Sequence, residues 1–259
     1  NICAIEVQGT FDDCQRIVKQ TLNDKQILQQ KNITTANSIN LGRLIPQIVY
    51  YIWGIAQLRK NFQKKTEPVY VVPSGNFGNI TAGVYAKKMG ASIQHFVAAT
   101  NANDVVPQYF LSEKFTPTVS IQTLSNAMDV GNPSNFIRLQ SLFDYDIKKI
   151  KEEISCYSIT DGETLQEIRN TYLQTSQILD PHTAVAYNAA LKYSSQKKNN
   201  LPLIVTATAH HGKFPDVSEL ALNQKFPEPP QLTEALKKKK QSIFIAPNFD
   251  EWKKLFLAM

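Results

Sequence analysis

Pro68-Val69-Tyr70-Val71-Val72-Pro73-Ser74-Gly75-Asn76-Phe77-Gly78-Asn79 passes from an unbroken apolar run into a loop punctuated by glycine. A β-branched and aromatic run without polar alternation predicts a strand buried on both faces, the kind found in parallel sheets. Residues Ile80 to Met89 then read as a helix, closed by Gly90 at the position after the cap. In such a strand–loop–helix unit, two glycines let the backbone approach an anion, and the free amides of the helix N-terminus point at it. The loop is not a Walker loop, because no Gly-Lys-Ser follows, and it is not a GxGxxG fingerprint. A glycine-bearing turn of this kind is structural at least as often as functional. Its position favours function, since ligands of open α/β sheets gather at the carboxyl ends of strands.

Outward from this unit the chain alternates strands and helices. Ser92 to Ala99 and Leu201 to Thr206 read as further core strands, and Ile2 to Val7 and Ile33 to Ile39 as shorter ones. Thr10 caps a helix carrying Asp12 and Asp13 in its first turn, with Phe11, Cys14, Ile17, Val18 and Leu22 on its inner face. Leu44 to Phe62 predicts a long helix whose stripe is Leu44, Ile48, Ile52 and Ala56, flanked by Ile45, Val49 and Trp53. Pro46 is tolerated there because it lies near the start. Thr160-Asp161-Gly162-Glu163 is a capping box for a helix to about Ile178, and Asp180-Pro181 opens another through Tyr193. Lys225 to Pro230 reads as a proline-rich surface connection. The class is α/β, with a mostly parallel sheet flanked by helices.

The 259 residues are 42% hydrophobic and 19% charged, an ordinary globular balance. No apolar run is long enough to cross a bilayer, and no signal-peptide pattern opens the chain. The chain starts at Asn1 and runs straight into Ile2-Cys3-Ala4-Ile5, which reads as a cut edge. The cysteines Cys3, Cys14 and Cys156 are odd in number and without a CxxC pattern. They argue against a disulfide framework or a zinc site and for a reducing, cytoplasmic home. The net charge of +6 sits largely in lysine runs such as Lys237 to Lys240 and Lys197-Lys198, without interleaved aromatics. Such runs read as solvated surface, and no nucleic-acid partner is expected.

Two more stretches carry polar groups at strand ends. In Ala36-Asn37-Ser38-Ile39-Asn40-Leu41-Gly42-Arg43 a lone arginine opens a helix behind Ser and Asn donors. That set suits a phosphate or carboxylate, and equally an N-cap cluster beside an ordinary surface arginine. In Thr206-Ala207-Thr208-Ala209-His210-His211-Gly212-Lys213-Phe214 the adjacent histidines, on an extended chain, would face opposite sides, and no third ligand is in view. No metal is expected. His210 or His211 as a general base stands beside the plainer reading of a structural histidine.

Taken together, and in this order, these stretches resemble the threonine synthase family, in its bacterial branch carrying Pro-Ser-Gly-Asn-Phe-Gly-Asn as Pro73 to Asn79. Gly9 to Cys14, Asn37 to Asn40, Asn126-Ala127-Met128-Asp129-Val130-Gly131, Pro133-Ser134-Asn135-Phe136 and Leu179-Asp180-Pro181-His182 match too. The resemblance runs from Asn1 to at least Phe214. It implies a fold-type II pyridoxal-phosphate (PLP) enzyme of tryptophan synthase β-like architecture, with its N-terminal portion missing here. Residues 1–36 would end the smaller domain, and 37–259 would form the large PLP-binding domain with a C-terminal helical extension.

The implied reaction converts O-phospho-L-homoserine and water to L-threonine and phosphate, a carbon–oxygen lyase acting on a phosphate. By the same resemblance Gly75, Asn76, Phe77, Gly78 and Asn79 hold the cofactor phosphate, and Thr208 bonds the pyridine nitrogen. Ser38, Asn40 and Arg43, with the Asn76 side chain, hold the substrate's phosphate. There are two departures. His211-Gly212 stands where the family has Pro-Ala, and the stretches with the Schiff-base lysine (His-Gly-Pro-Thr-x-x-Phe-Lys-Asp) and Ser-Gly-Asp-Thr-Gly do not occur. No residue of this chain is therefore assigned as catalytic, and the chain alone is expected to be inactive. The alternatives are another fold-type II lyase, such as a dehydratase or sulfhydrylase, and a non-catalytic binder of PLP or phosphate.

Overall fold

The computed structural model describes residues 2–38, 40–62, 67–198, 200–227 and 229–259. In chain order the elements are β1 (Ile5–Val7), α1 (Phe11–Asn23), α2 (Lys25–Gln30), α3 (Leu41–Leu44), α4 (Ile48–Phe62), β2 (Val69–Pro73) and α5 (Gly78–Lys88). Then come β3 (His95–Thr100), α6 (Val105–Ser112), α7 (Phe136–Leu142), α8 (Ile147–Glu153), β4 (Ile154–Ser158), α9 (Asp161–Thr175) and α10 (Pro181–Lys197). The last are β5 (Leu203–Val205), α11 (Pro215–Leu222), α12 (Pro230–Leu236), β6 (Ile243–Ile245) and α13 (Phe249–Ala258). Two compact units result, one of Asn1–Asn37 with Pro229–Met259, the other of Ser38–Glu228.

In the smaller unit β1 pairs with β6 in parallel, Ile5 opposite Ile243 and Val7 opposite Ile245. Thr10 and Asp13 close the capping box that starts α1. Ile17 is buried but Phe11 faces solvent, so the inner face of α1 is narrower than the spacing predicts. The indole of Trp252 donates to Thr21 Oγ1 at 2.8 Å, and Lys253 pairs with Asp24 at 2.7 Å. These bonds place the tail after Pro229 in this unit, whereas the sequence reading attaches it to the larger domain. A three-residue strand beside a lysine run carries no signal of its distant partner. The expected strand from Ile33 is extended, alternating half-buried and exposed residues, but joins neither sheet; its end at Ile39 lies outside the described residues.

The larger unit is built on a four-stranded sheet ordered β4-β3-β2-β5, every pair parallel. Tyr70 and Val72 of β2, with Phe96 and Ala98 of β3, pack into one core beside Tyr51, Ile55 and Ile80. Val69, Val71, Val97 and Ala99 pack into a second core against Val185, Ala186 and Ala189 of α10. Both faces are thus covered, which is why these strands are apolar without alternation. Burying Phe96 alone contributes about 1.5–3 kcal/mol of transfer free energy.

Three features differ from the sequence reading. The long helix begins at Leu41 and is broken by a 3-10 turn at Ile45–Gln47 with Pro46 in it. Its buried face is Leu44, Ile48, Tyr51 and Ile55, while Ile45, Val49, Ile52 and Trp53 are exposed. Steps of four overshoot a 3.6-residue turn by about 40° each, so Ile52 and Ala56 rotate out while Tyr51 and Ile55 stay in. The strand β4 carries no local signal, because Ile154–Ser158 is recognisable only by its pairing with β3. Elsewhere local signals hold: the Thr160 capping box, the Asp180 cap with Pro181 behind it, and Gly90 at φ 102° after α5.

His95 opens β3, stacks on Tyr193 and bonds Ser155 Oγ at 2.9 Å. Burial, and then the charge of Lys197, push it down from 6.5 to about 4. The unfolded chain takes up a proton near 6.5 and the folded chain does not. Stability is therefore full above about pH 6.5 and falls as the pH drops toward 4. Urea midpoints at pH 7 and pH 5 are expected to differ more for the wild type than for His95→Gln; equal differences would exclude this source.

Candidate functional site

Parallel strands send all their C-terminal loops to one end of the sheet. The chain leaves β2 toward β3 on one side, while β5 lies on the other, which makes a topological switch point beside β2. There a cavity of 810 Å³ opens, lined by Pro73 to Asn79, by Ile204 to Thr208, and by Ser38, Arg43, Ala127 and His182 among others. Of the residues named from sequence, Gly75, Asn76, Phe77, Gly78, Asn79, Thr208, Ser38 and Arg43 are brought together around it.

The loop after β2 is shaped to present amides. Phe77, the residue before α5, has φ 59° and ψ 13°, a left-handed conformation that turns successive N–H groups toward one side. Among the described residues, the N–H groups of Gly75 through Ile80 donate to no protein acceptor. A side chain cannot replace the hydrogen of Gly75, since its Cβ would fall 2.7 Å from Met128 Cα. Gly78 is nearly as confined, with Asn135 Nδ2 at 3.3 Å from such a Cβ.

Two asparagines of the loop are held differently. Asn76 is a bridge: its Nδ2 donates to Ser38 Oγ, and its Oδ1 accepts from the Ser134 N–H at 2.6 Å and Oγ at 3.0 Å. Arg138 donates to the Ser38 carbonyl at 3.4 Å and to Asn135 Oδ1, closing this cluster from behind. Asn79 Oδ1 accepts from the hydroxyls of Tyr50 and Tyr51, both at 2.6 Å, which leaves Nδ2 as the group without a protein acceptor among the described residues. Burial pushes both tyrosines above the ordinary phenol range, so they stay neutral donors.

The remaining candidates divide. Thr208 lies on the cavity wall and is exposed, as is Arg43. Asn40 is not on the wall; its Oδ1 accepts from the Gly42 N–H at 2.9 Å and caps α3. His210 and His211 do not diverge as an extended chain would make them, because a 3-10 turn at His211–Lys213 brings their rings 4.3 Å apart. His210 Nδ1 accepts from the Gly212 N–H, and burial together with His210 lowers His211. The sequence reading quoted Ser134, Ala127 and His182 in matching stretches without giving them a place at the site. Their signal is contact between segments some 50 residues apart, which no local pattern carries.

The profile of the pyridoxal-phosphate dependent enzyme family matches residues 4–207, and that of the threonine synthase C-terminal family matches residues 183–255. The threonine synthase of Serratia marcescens is 36% identical over 259 residues, covering 100% of this chain and 59% of that protein. That of Escherichia coli strain K12 is 38% identical over 234 residues, covering 90% and 53%. Among solved structures, threonine synthase from Escherichia coli superposes with a TM-score of 0.89 at 35% identity, covering 99% of this chain and 58% of that one. The PLP-bound threonine synthase from Brucella melitensis gives 0.85 at 29% identity, covering 99% and 59%. The chain thus spans rather more than half the length of these relatives. With four-fifths of its length matched by one family and its cavity at the switch point of a parallel sheet, the chain belongs to the pyridoxal-phosphate dependent enzymes and is similar, within them, to the threonine synthases.

Proposed function

We propose that the chain supplies the cofactor- and phosphate-holding part of a threonine synthase, converting O-phospho-L-homoserine and water to L-threonine and phosphate. The observation that carries this is a row of unpaired amides starting at Gly75, whose residues Gly75 to Asn79 share one cavity with Ser38 and Arg43. Two anions must be held at once in this reaction, the cofactor's phosphate and the one that departs from the substrate. The residues fit PLP: the cavity has the size of a small-molecule site, the amides suit a phosphate monoester, and Gly75 leaves the backbone bare. When bound, the cofactor supplies an electron sink for the carbanions that the elimination and the addition of water require.

The chain's own residues bind and orient. Amides of the loop from Gly75 to Asn79 would hold the cofactor phosphate, and the Asn79 amide is aimed by its two tyrosines. Thr208 would offer its hydroxyl to the pyridine nitrogen. Arg43 and Ser38, with Asn76, would take the substrate phosphate, and Asn40 would serve by capping the helix that carries Arg43. The lysine-bearing stretch of the family does not occur in these 259 residues, so the chain alone is assigned no turnover. Its three thiols are free, which suits the cytoplasm as its compartment.

The product of the whole gene, supplied with PLP, is expected to release phosphate from O-phospho-L-homoserine with matching threonine, and residues 1–259 alone to release none. No release by the whole product would sink the substrate assignment. Turnover by residues 1–259 would sink the claim that they lack the main base. In the same whole product, Gly75→Ala would press a methyl on Met128, at a cost of about 1–3 kcal/mol in packing. PLP affinity, followed by absorbance, is expected to fall about tenfold or more; an unchanged affinity would remove the loop from the cofactor's site.

A further inference from the structure

His182 is the second residue of α10, 3% exposed, with its ring against Phe214 and one edge on the cavity wall. Its Nδ1 lies 3.0 Å from Asp180 Oδ1, and its Nε2 accepts from the Ala127 N–H at 3.2 Å. Asp180 also caps α10, accepting from the N–H groups of His182 and Thr183 and from the Thr183 hydroxyl. Burial works against its charge, but the bonds from His182 and Thr183 outweigh burial and hold it below the ordinary carboxylate range. A carboxylate only accepts, so the ring proton is on Nδ1, and a backbone amide only donates, so Nε2 is bare. The neutral Nδ1–H ring is thus fixed by partners at both ends.

Ala127 belongs to the 3-10 turn Asn126–Met128, whose internal bonds begin with the Met128 N–H on the Ser125 carbonyl. The Ala127 N–H has no acceptor inside that turn, and His182 supplies one. The flanks of the segment are tied separately: Asp129 accepts from Asn101, Asn103 and Thr123, and Asp161 accepts from the Leu124 N–H. The turn itself is what abuts the loop after β2. Met128 Cα and the Ala127 carbonyl stand 2.7 and 3.2 Å from where a Gly75 Cβ would be. A shift of the turn is therefore a shift of the surface against which the Gly75 backbone is set.

We infer that His182 is a positioning residue for the anion site: through the Ala127 amide it fixes the turn 126–128, and through that turn the placement of the Gly75 end of the amide row. This rests on the proposed function, since the anion in question is the PLP phosphate. Two near-isosteric variants separate the ring's two bonds. His182→Gln can present an oxygen where Nε2 was and keeps the acceptor for Ala127. His182→Asn can present an N–H where Nδ1 was and keeps the donor to Asp180. PLP is titrated into the whole gene product and its variants, with affinity read from absorbance, the bound phosphate from its 31P resonance, and folding from thermal melting. His182→Gln is expected to hold affinity within about threefold and to leave the resonance in place. His182→Asn is expected to lose about tenfold, the weight of one hydrogen bond, and to move the resonance, at a melting temperature like that of the Gln variant. Equal affinities in the two variants, or loss of the fold in both, would overturn the inference and leave His182 a packing residue. Failure of the unsubstituted protein to bind PLP would overturn the proposed function, and this inference with it.

Discussion

Strand β2 is hydrogen-bonded in parallel to β3 on one side and β5 on the other, from Val69 opposite both His95 and Leu203 onward. That double pairing fixes its direction and register, and the two cores fix its faces, so the height at which the chain leaves the sheet after Pro73 is not adjustable. A slip of one residue would send Tyr70 and Val72 into the space of α10 and expose Val69 and Val71 to the aromatic side. The N–H of Ser74 is still tied to the Ala99 carbonyl at 2.8 Å, and the unpaired amides begin at the next residue. The site is thus the point at which the ladder runs out, placed by the strongest element of the fold.

The chemistry of that point is one of neutral donors. Among the described residues lining the cavity, Arg43 alone carries a fixed positive charge, and it is exposed. The loop after β2 contributes backbone dipoles and two carboxamides, those of Asn76 and Asn79, instead. Fixed dipoles need no counter-charge when the ligand is absent and do not reorganise when it arrives, which is the advantage of preorganised donors over mobile cations. The same economy explains the tyrosines. Held neutral by burial, they spend their hydroxyls on Asn79 and orient its amide without adding charge.

Much of this was legible because it is local. Thr10, Thr160 and Asp180-Pro181 announce helix starts through bonds that span three residues, and β2 announces itself by composition. The glycine loop was legible for the same reason, since Gly75 and Gly78 stand directly between a strand and a helix. What escaped depends on distance. Ile154–Ser158 becomes a strand only beside β3, Ile33 onward fails to be one for want of a neighbour in either sheet, and Ile243–Ile245 finds β1 across more than 230 residues. A stripe stepped in fours selects Ile52 over Tyr51, and a buried phenol needs a partner that only the fold reveals. Likewise Ser134 and His182 reach the site through contacts that exist only once α7 and α10 are in place. For Asn40, the residue types fitted both a ligand site and a helix cap, and its bond to the Gly42 amide is that of a cap.

The face of α4 turned away from the core has a consequence for handling the protein. Val49, Ile52 and Trp53 are each at least half exposed, and among the described residues β5 pairs with β2 alone. Exposed apolar side chains and a strand paired on one side are two ingredients of non-specific association. The brevity of β5 limits strand addition, and the net charge of +6 opposes close approach at low ionic strength. Salt screens that repulsion and strengthens the apolar attraction, so colloidal behaviour in preparation is governed by ionic strength: dilute, low-salt buffers keep the chains apart, and salting brings them together.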